Sequence, residues 1–71
     1  MEQDKSYVLA ERDQFGIDQY YIRSPNSWFK LTLHPRKATI LSFNDAMETA
    51  RNLRGFGGHF RVVLLKSILE S

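Results

Sequence analysis

The hydrophobic period of this chain changes once, and that change constrains the fold more than any other feature. Up to Leu41 the apolar residues fall in short alternating or β-branched runs. From Phe43 the period is 3.6: Phe43, Ala46, Met47, Ala50 and Leu53 form one stripe of an amphipathic helix. Ser42 is placed to cap that helix, with Asp45 three residues on. Arg51 and Arg54 suit its last turns, and Gly55 is the expected residue just past its end.

The segments on either side read as strands. Tyr7–Arg12 is a first strand, and Gln19–Arg23 a second, joined by a turn in which Gly16 takes positive φ. Ser24-Pro25-Asn26-Ser27 interrupts the pattern, because proline has no ladder donor. Residues 28–33 alternate cleanly, with Phe29, Leu31 and Leu33 on one face and Trp28, Lys30 and Thr32 on the other. His34-Pro35-Arg36-Lys37 makes a second turn before a short strand, Ala38–Leu41. After Gly55-Phe56-Gly57-Gly58, the run Phe60–Leu65 is apolar on both faces, as in a strand covered on both sides or paired centrally. The expected order is β-β-β-β-α-β: an α+β fold with an antiparallel sheet of four to five strands packed on one helix. Seventy-one residues leave room for one core, so 1–71 read as a single domain, fraying at 1–5 and 67–71.

Composition then narrows function. No cysteine is present, which removes disulfides, thiolate metal sites and thiol chemistry and points to a reducing cytoplasm. The polar N-terminus is unlike a targeting peptide, and the longest apolar run, Val62–Leu65, is far below membrane-spanning length. His34 and His59 stand in no metal-ligand spacing, so no metal or cofactor is expected. The glycine-rich loop follows a helix where a phosphate loop precedes one. Asp13 with Asp18, and Asp45 with Glu48, have no adjacent base or apolar pocket to separate their pKa values; Asp45 reads as a cap, and Glu48 as a partner for Arg51. No serine lies in a nucleophile-elbow context. The expectation is a protein that is not an enzyme.

Charge is uneven. The first twenty residues hold five acids and two bases; the rest hold eight bases and three acids. If Phe29, Leu31 and Leu33 face the helix, and the second strand turns Tyr20 and Ile22 inward, the outer sheet face presents Tyr21, Arg23, Trp28 and Lys30, with Arg36 and Lys37 in the next turn. Such a face suits a protein partner, with Tyr21 and Trp28 as anchors. The alternative is a nucleic-acid partner, whose bases stack on the rings and whose phosphates meet the cations. Outward aromatic and charged residues also stabilise a one-sided sheet without any partner. Pairing of an exposed first or last strand with a second copy is a further option.

The stretch from Ala38 to Leu53, with Tyr7-Val8-Leu9 before it and Val62-Val63 after, resembles small phage and prophage proteins of unknown role. That resemblance implies an accessory or inhibitory protein docking on a host or phage protein. Preceded by Trp28-Phe29-Lys30-Leu31, the same stretch is similar to the three-strand-plus-helix DNA-binding domains of ethylene-response factors and of recombinase arm-binding domains. This second resemblance implies a DNA-facing sheet carrying Arg23, Trp28 and Lys30, although Glu11, Asp13 and Asp18 stand where that family has arginines.

Overall fold

The structure, a computed structural model, describes residues 5–24 and 29–70. Its elements run β1 (Tyr7–Arg12), β2 (Asp18–Ile22), β3 (Lys30–Thr32), a 3-10 turn (Pro35–Lys37), α1 (Phe43–Arg54), β4 (Arg61–Leu64) and α2 (Leu65–Leu69). The strands form a four-stranded antiparallel sheet in the order β3-β2-β1-β4, so the fold is α+β. β1 is central, and the free edges are β3 and β4. An exposed first strand is therefore not available for pairing with another copy.

The β1–β2 hairpin is set by its loop. The Asp13 carboxylate accepts the N–H groups of Phe15 and Ile17 at 2.8 and 3.0 Å, and Gly16 takes φ +82° as expected. Beyond it, Asp18 on β2 bridges to Arg12 on β1 at 3.2 Å and to Arg61 on β4 at 2.9 Å, linking three strands. Partial burial opposes the charged form of Asp18. The hydrogen bonds and charges of Arg61 and Arg12 outweigh it and hold the carboxyl below its ordinary range. A carboxyl depressed in the folded state stabilises above its unfolded pKa, near 3.9, and loses that contribution as pH falls through the folded value. Both arginines are half-exposed or more, so the network is worth about 1 kcal/mol or less. Asp18→Asn is expected to lower the urea midpoint slightly at pH 7. The difference from wild type should close below about pH 4; a gap that persists there would mean the variant acts through packing and not charge.

Alternation along the strands divides the apolar residues between two sides. Leu9, Tyr21, Leu41 and Phe60 meet Ala46, Ala50 and Leu53 of α1. On the other side Val8, Ala10, Tyr20 and Ala38 are covered by Val63, Leu65 and Ile68. Where a tail fraying from 67 is expected, α2 holds Leu65–Leu69; Ser71 lies outside the described residues. α2 forms because Leu65 and Ile68 complete this second cluster, the Leu65 N–H bonds Ser6 O at 2.9 Å, and Ser67 Oγ donates to Leu64 O at 2.7 Å. β4 is apolar on both faces for the same reason, yet it is an edge strand and not a central one.

Two further expectations are corrected. Residues 38–41 do not form a strand: Leu41 makes an isolated bridge to Tyr7, and Thr39 N–H bonds Tyr21 O at 2.9 Å. The segment fills the gap where β1 and β2 part, which leaves each neighbour only single contacts to offer. At the helix start Ser42 Oγ accepts the Asp45 N–H at 3.2 Å, as expected. At its end Gly55 stays right-handed, with φ −66°. The left-handed residue is Gly57, φ +89°, with Gly58 N–H bonded to Leu53 O and Gly57 N–H to Arg54 O. These are the paired bonds of a Schellman end, set two residues beyond Gly55.

Candidate functional site

Tyr21 does not belong to the expected contact face. Tyr21 is only 4% exposed and faces α1, its ring edge-on to Phe60 with centroids 6.0 Å apart and tilted against Phe29 at 6.4 Å. The register of β3 explains this: Tyr21 lies opposite Leu31, and Ile22 opposite Lys30. Tyr21 therefore shares its side with Phe29 and Leu31, while Lys30 projects to the other. The choice that turns Tyr21 outward assumed one covered face, whereas both Tyr20 and Tyr21 are buried, on opposite sides. Trp28 lies outside the described residues. Arg23 is exposed past the end of β2, with its N–H on Thr39 Oγ1 at 2.8 Å. Arg36 and Lys37 are exposed on the 3-10 turn, which leads into Ala38 of the second cluster. Lys30, Arg36 and Lys37 thus lie on the side of the sheet away from α1, separated from Tyr21.

Three carboxylates, Glu11, Asp13 and Asp18, have structural partners. Glu11 Oε2 accepts the His59 N–H at 2.9 Å, tying the glycine loop to β1. Asp13 and Asp18 serve the hairpin and the cross-strand bridge described above. The pairing of Glu48 with Arg51 does not form among the described residues. No group of three metal-ligating side chains occurs among them, and no described helix is long and apolar enough to cross a membrane.

What the structure does assemble lies along α1. The helix stripe overshoots the sheet: Ala46, Ala50 and Leu53 are buried, but Phe43 and Met47 are 50% and 44% exposed. They overhang a groove of about 520 Å³ between α1 and β4, floored by Ala50, Phe60 and Val62. Phe43 is steadied by an edge-on contact with Tyr7, centroids 5.2 Å apart. Arg51 and Arg54 stand beside the groove with no partner among the described residues, while Arg61 borders it with its guanidinium held by Asp18. The lining contains no acid, hydroxyl, thiol or imidazole. It offers apolar contact, a polarisable thioether and two guanidiniums without a partner among the described residues.

The sequence carried a trace of this site. Phe43, Met47, Ala50 and Arg54 fall at helical offsets 0, 4, 7 and 11, an apolar column ending in a cation. Nothing in the pattern says that the column's first half lies beyond the sheet, since a stripe of that spacing ordinarily reads as core. Comparison with protein-family models, with curated proteins and with solved structures returned no match.

Proposed function

We propose that this chain is a small non-enzymatic binding protein that docks on a protein partner through the groove between α1 and β4. The observation that carries the reading is the half-exposure of Phe43 and Met47 over an apolar floor, next to two arginines that have no partner among the described residues. Isolated exposed apolar residues are ordinary on a protein surface. Here two of them share one helix face and one concavity. The role as a cytoplasmic, phage-type accessory protein rests on the cysteine-free sequence and on the resemblance of Ala38 to Leu53. The docking surface differs from the sheet face first expected, because Tyr21 is committed to the core.

A random peptide library displayed against the protein tests this. Wild type should enrich binders, and Met47→Glu should weaken them at least tenfold. An exposed substitution of this kind changes stability by only about 0.5 kcal/mol, so loss of binding would not reflect unfolding. Enriched peptides that bind Met47→Glu as well as wild type would remove the groove from consideration. The alternative reading, nucleic acid, is favoured by Lys30, Arg36 and Lys37 exposed on the other side of the sheet. It predicts amide shifts at those residues with a short duplex, fading steeply with salt.

A further inference from the structure

The groove lies against a free sheet edge, and the phase of that edge can be worked out. Tyr7 exchanges both backbone hydrogen bonds with Leu41 at 2.8 Å, so its polar groups point away from Leu64, its partner on β4. Tyr7–Leu64 is thus a non-hydrogen-bonded pair of the antiparallel ladder, and alternation makes Leu9–Val62 another. The bond from Leu65 N–H to Ser6 O has the same phase. Val62 and Leu64 therefore turn their N–H and C=O groups to the open side. Ser67 Oγ occupies the Leu64 carbonyl. The Val62 N–H and C=O and the Leu64 N–H have no partner among the described residues.

An extended chain paired at Val62 would place every second side chain on the α1 side, over the groove. Val62 itself shares that side, since it lies opposite Leu9. The charges that line this track without a partner among the described residues are both positive, Arg51 and Arg54, while Arg61 is bridged to Asp18 at 2.9 Å and Lys66 lies 3.9 Å from Glu70. A second copy docked edge to edge would set these cations against their own images, whereas an acidic segment complements them.

We infer that the groove and the β4 edge are one site, which takes an extended, acidic segment of a partner protein as an added fifth strand, with an apolar side chain seated between Met47 and Val62. This rests on the docking reading and adds the partner's conformation and charge. Main-chain hydrogen bonds to the edge supply affinity, and the groove selects the alternate side chain. α2 follows Leu64 directly, so the addition is confined to the span Arg61–Leu64.

The test uses the whole chain, labelled on backbone nitrogen and on methionine methyls. Its probe is the acetylated peptide Glu-Val-Asp-Phe-Glu-Val-Asp with an amidated C-terminus. Three controls accompany it: a version with lysine in place of each acid, and two versions N-methylated at alternate positions in opposite phase. The expected result is movement of the Met47 methyl together with the Val62 and Leu64 amides, and slowed exchange of those two amides. Affinity should fall at least tenfold for the lysine peptide, for one methylated phase but not the other, and for Arg51→Glu combined with Arg54→Glu. A Met47 methyl that moves while both amides stay fixed would overturn strand addition but leave groove docking standing. No movement at either place would overturn both. Sedimentation showing a dimer that the peptide does not dissociate would assign the edge to a second copy and overturn the proposal.

Discussion

Leu9→Ala is expected to remove a large share of this protein's stability. Leu9 is fully buried on β1, the central strand, and packs on the α1 side with Tyr21, Ala46 and Leu53. Truncating a leucine at such a site costs about 2–5 kcal/mol, the spread reflecting how far the surroundings can collapse. Collapse is limited here, because two of the three buried α1 residues in this cluster, Ala46 and Ala50, are alanines and cannot reach into the void. A chain of this length has about 4–10 kcal/mol in total, at roughly 0.05–0.15 kcal/mol per residue. The urea midpoint should fall by about a fifth or more with the slope of the transition unchanged. Leu33→Ala, at a side chain 59% exposed, should move it by no more than about 0.5 kcal/mol. Similar losses for the two would mean that Leu9 does not sit between sheet and helix.

The contrast between those leucines shows what a sequence pattern can carry. The change of period at Ser42 fixed the position of α1, and capping chemistry fixed its first turn, because both are local. Turn chemistry did the same for the β1–β2 hairpin. The failures lie where a residue's role depends on what lies across from it. Tyr20 and Tyr21 are adjacent and equally suited to a core, so period two allows either register; only the presence of α2 on the second side buries both. Residues 38–41 have strand composition but meet strands already paired elsewhere. The left-handed residue that closes α1 is Gly57 and not Gly55, because the bonds to Arg54 and Leu53 come from Gly57 and Gly58, and either glycine satisfies the local rule.

The candidate site was less legible than the fold for a related reason. Phe43 and Met47 belong to the stripe by spacing, and spacing does not report where the sheet stops. Their exposure follows from a sheet whose outer strand on that side, β4, is four residues long and gives way to α2. The cations behave in the same way. Arg61 appears in sequence as one more base, yet it is neutralised by Asp18, 43 residues away. Arg51, expected to pair with Glu48, has no partner among the described residues. Composition counts charges, while pairing decides which of them a partner can meet.

Gly58→Ala tests the link between the core and that groove, and its expected cost is close to that of a core cavity. A Cβ at Gly58 would lie 2.8 and 3.1 Å from two carbons of the Phe60 ring. That ring cannot swing aside easily: it is buried, edge-on to Phe29 at 5.3 Å and to Tyr21 at 6.0 Å. Overpacking of this kind costs about 1–3 kcal/mol. Gly57→Ala should also destabilise, by about 1–2 kcal/mol, through left-handed backbone strain, although its Cβ would meet open space. The two mechanisms separate in a double-mutant cycle. Phe60→Leu, itself destabilising, should recover part of the Gly58→Ala cost and none of the Gly57→Ala cost. Because Phe60 floors the groove, Gly58→Ala should in addition weaken any ligand seated over Met47, whereas Gly57→Ala should leave its affinity unchanged once folded. Equal coupling of both glycines to Phe60 would place the strain in the backbone turn and free the ring from any role in holding the groove open.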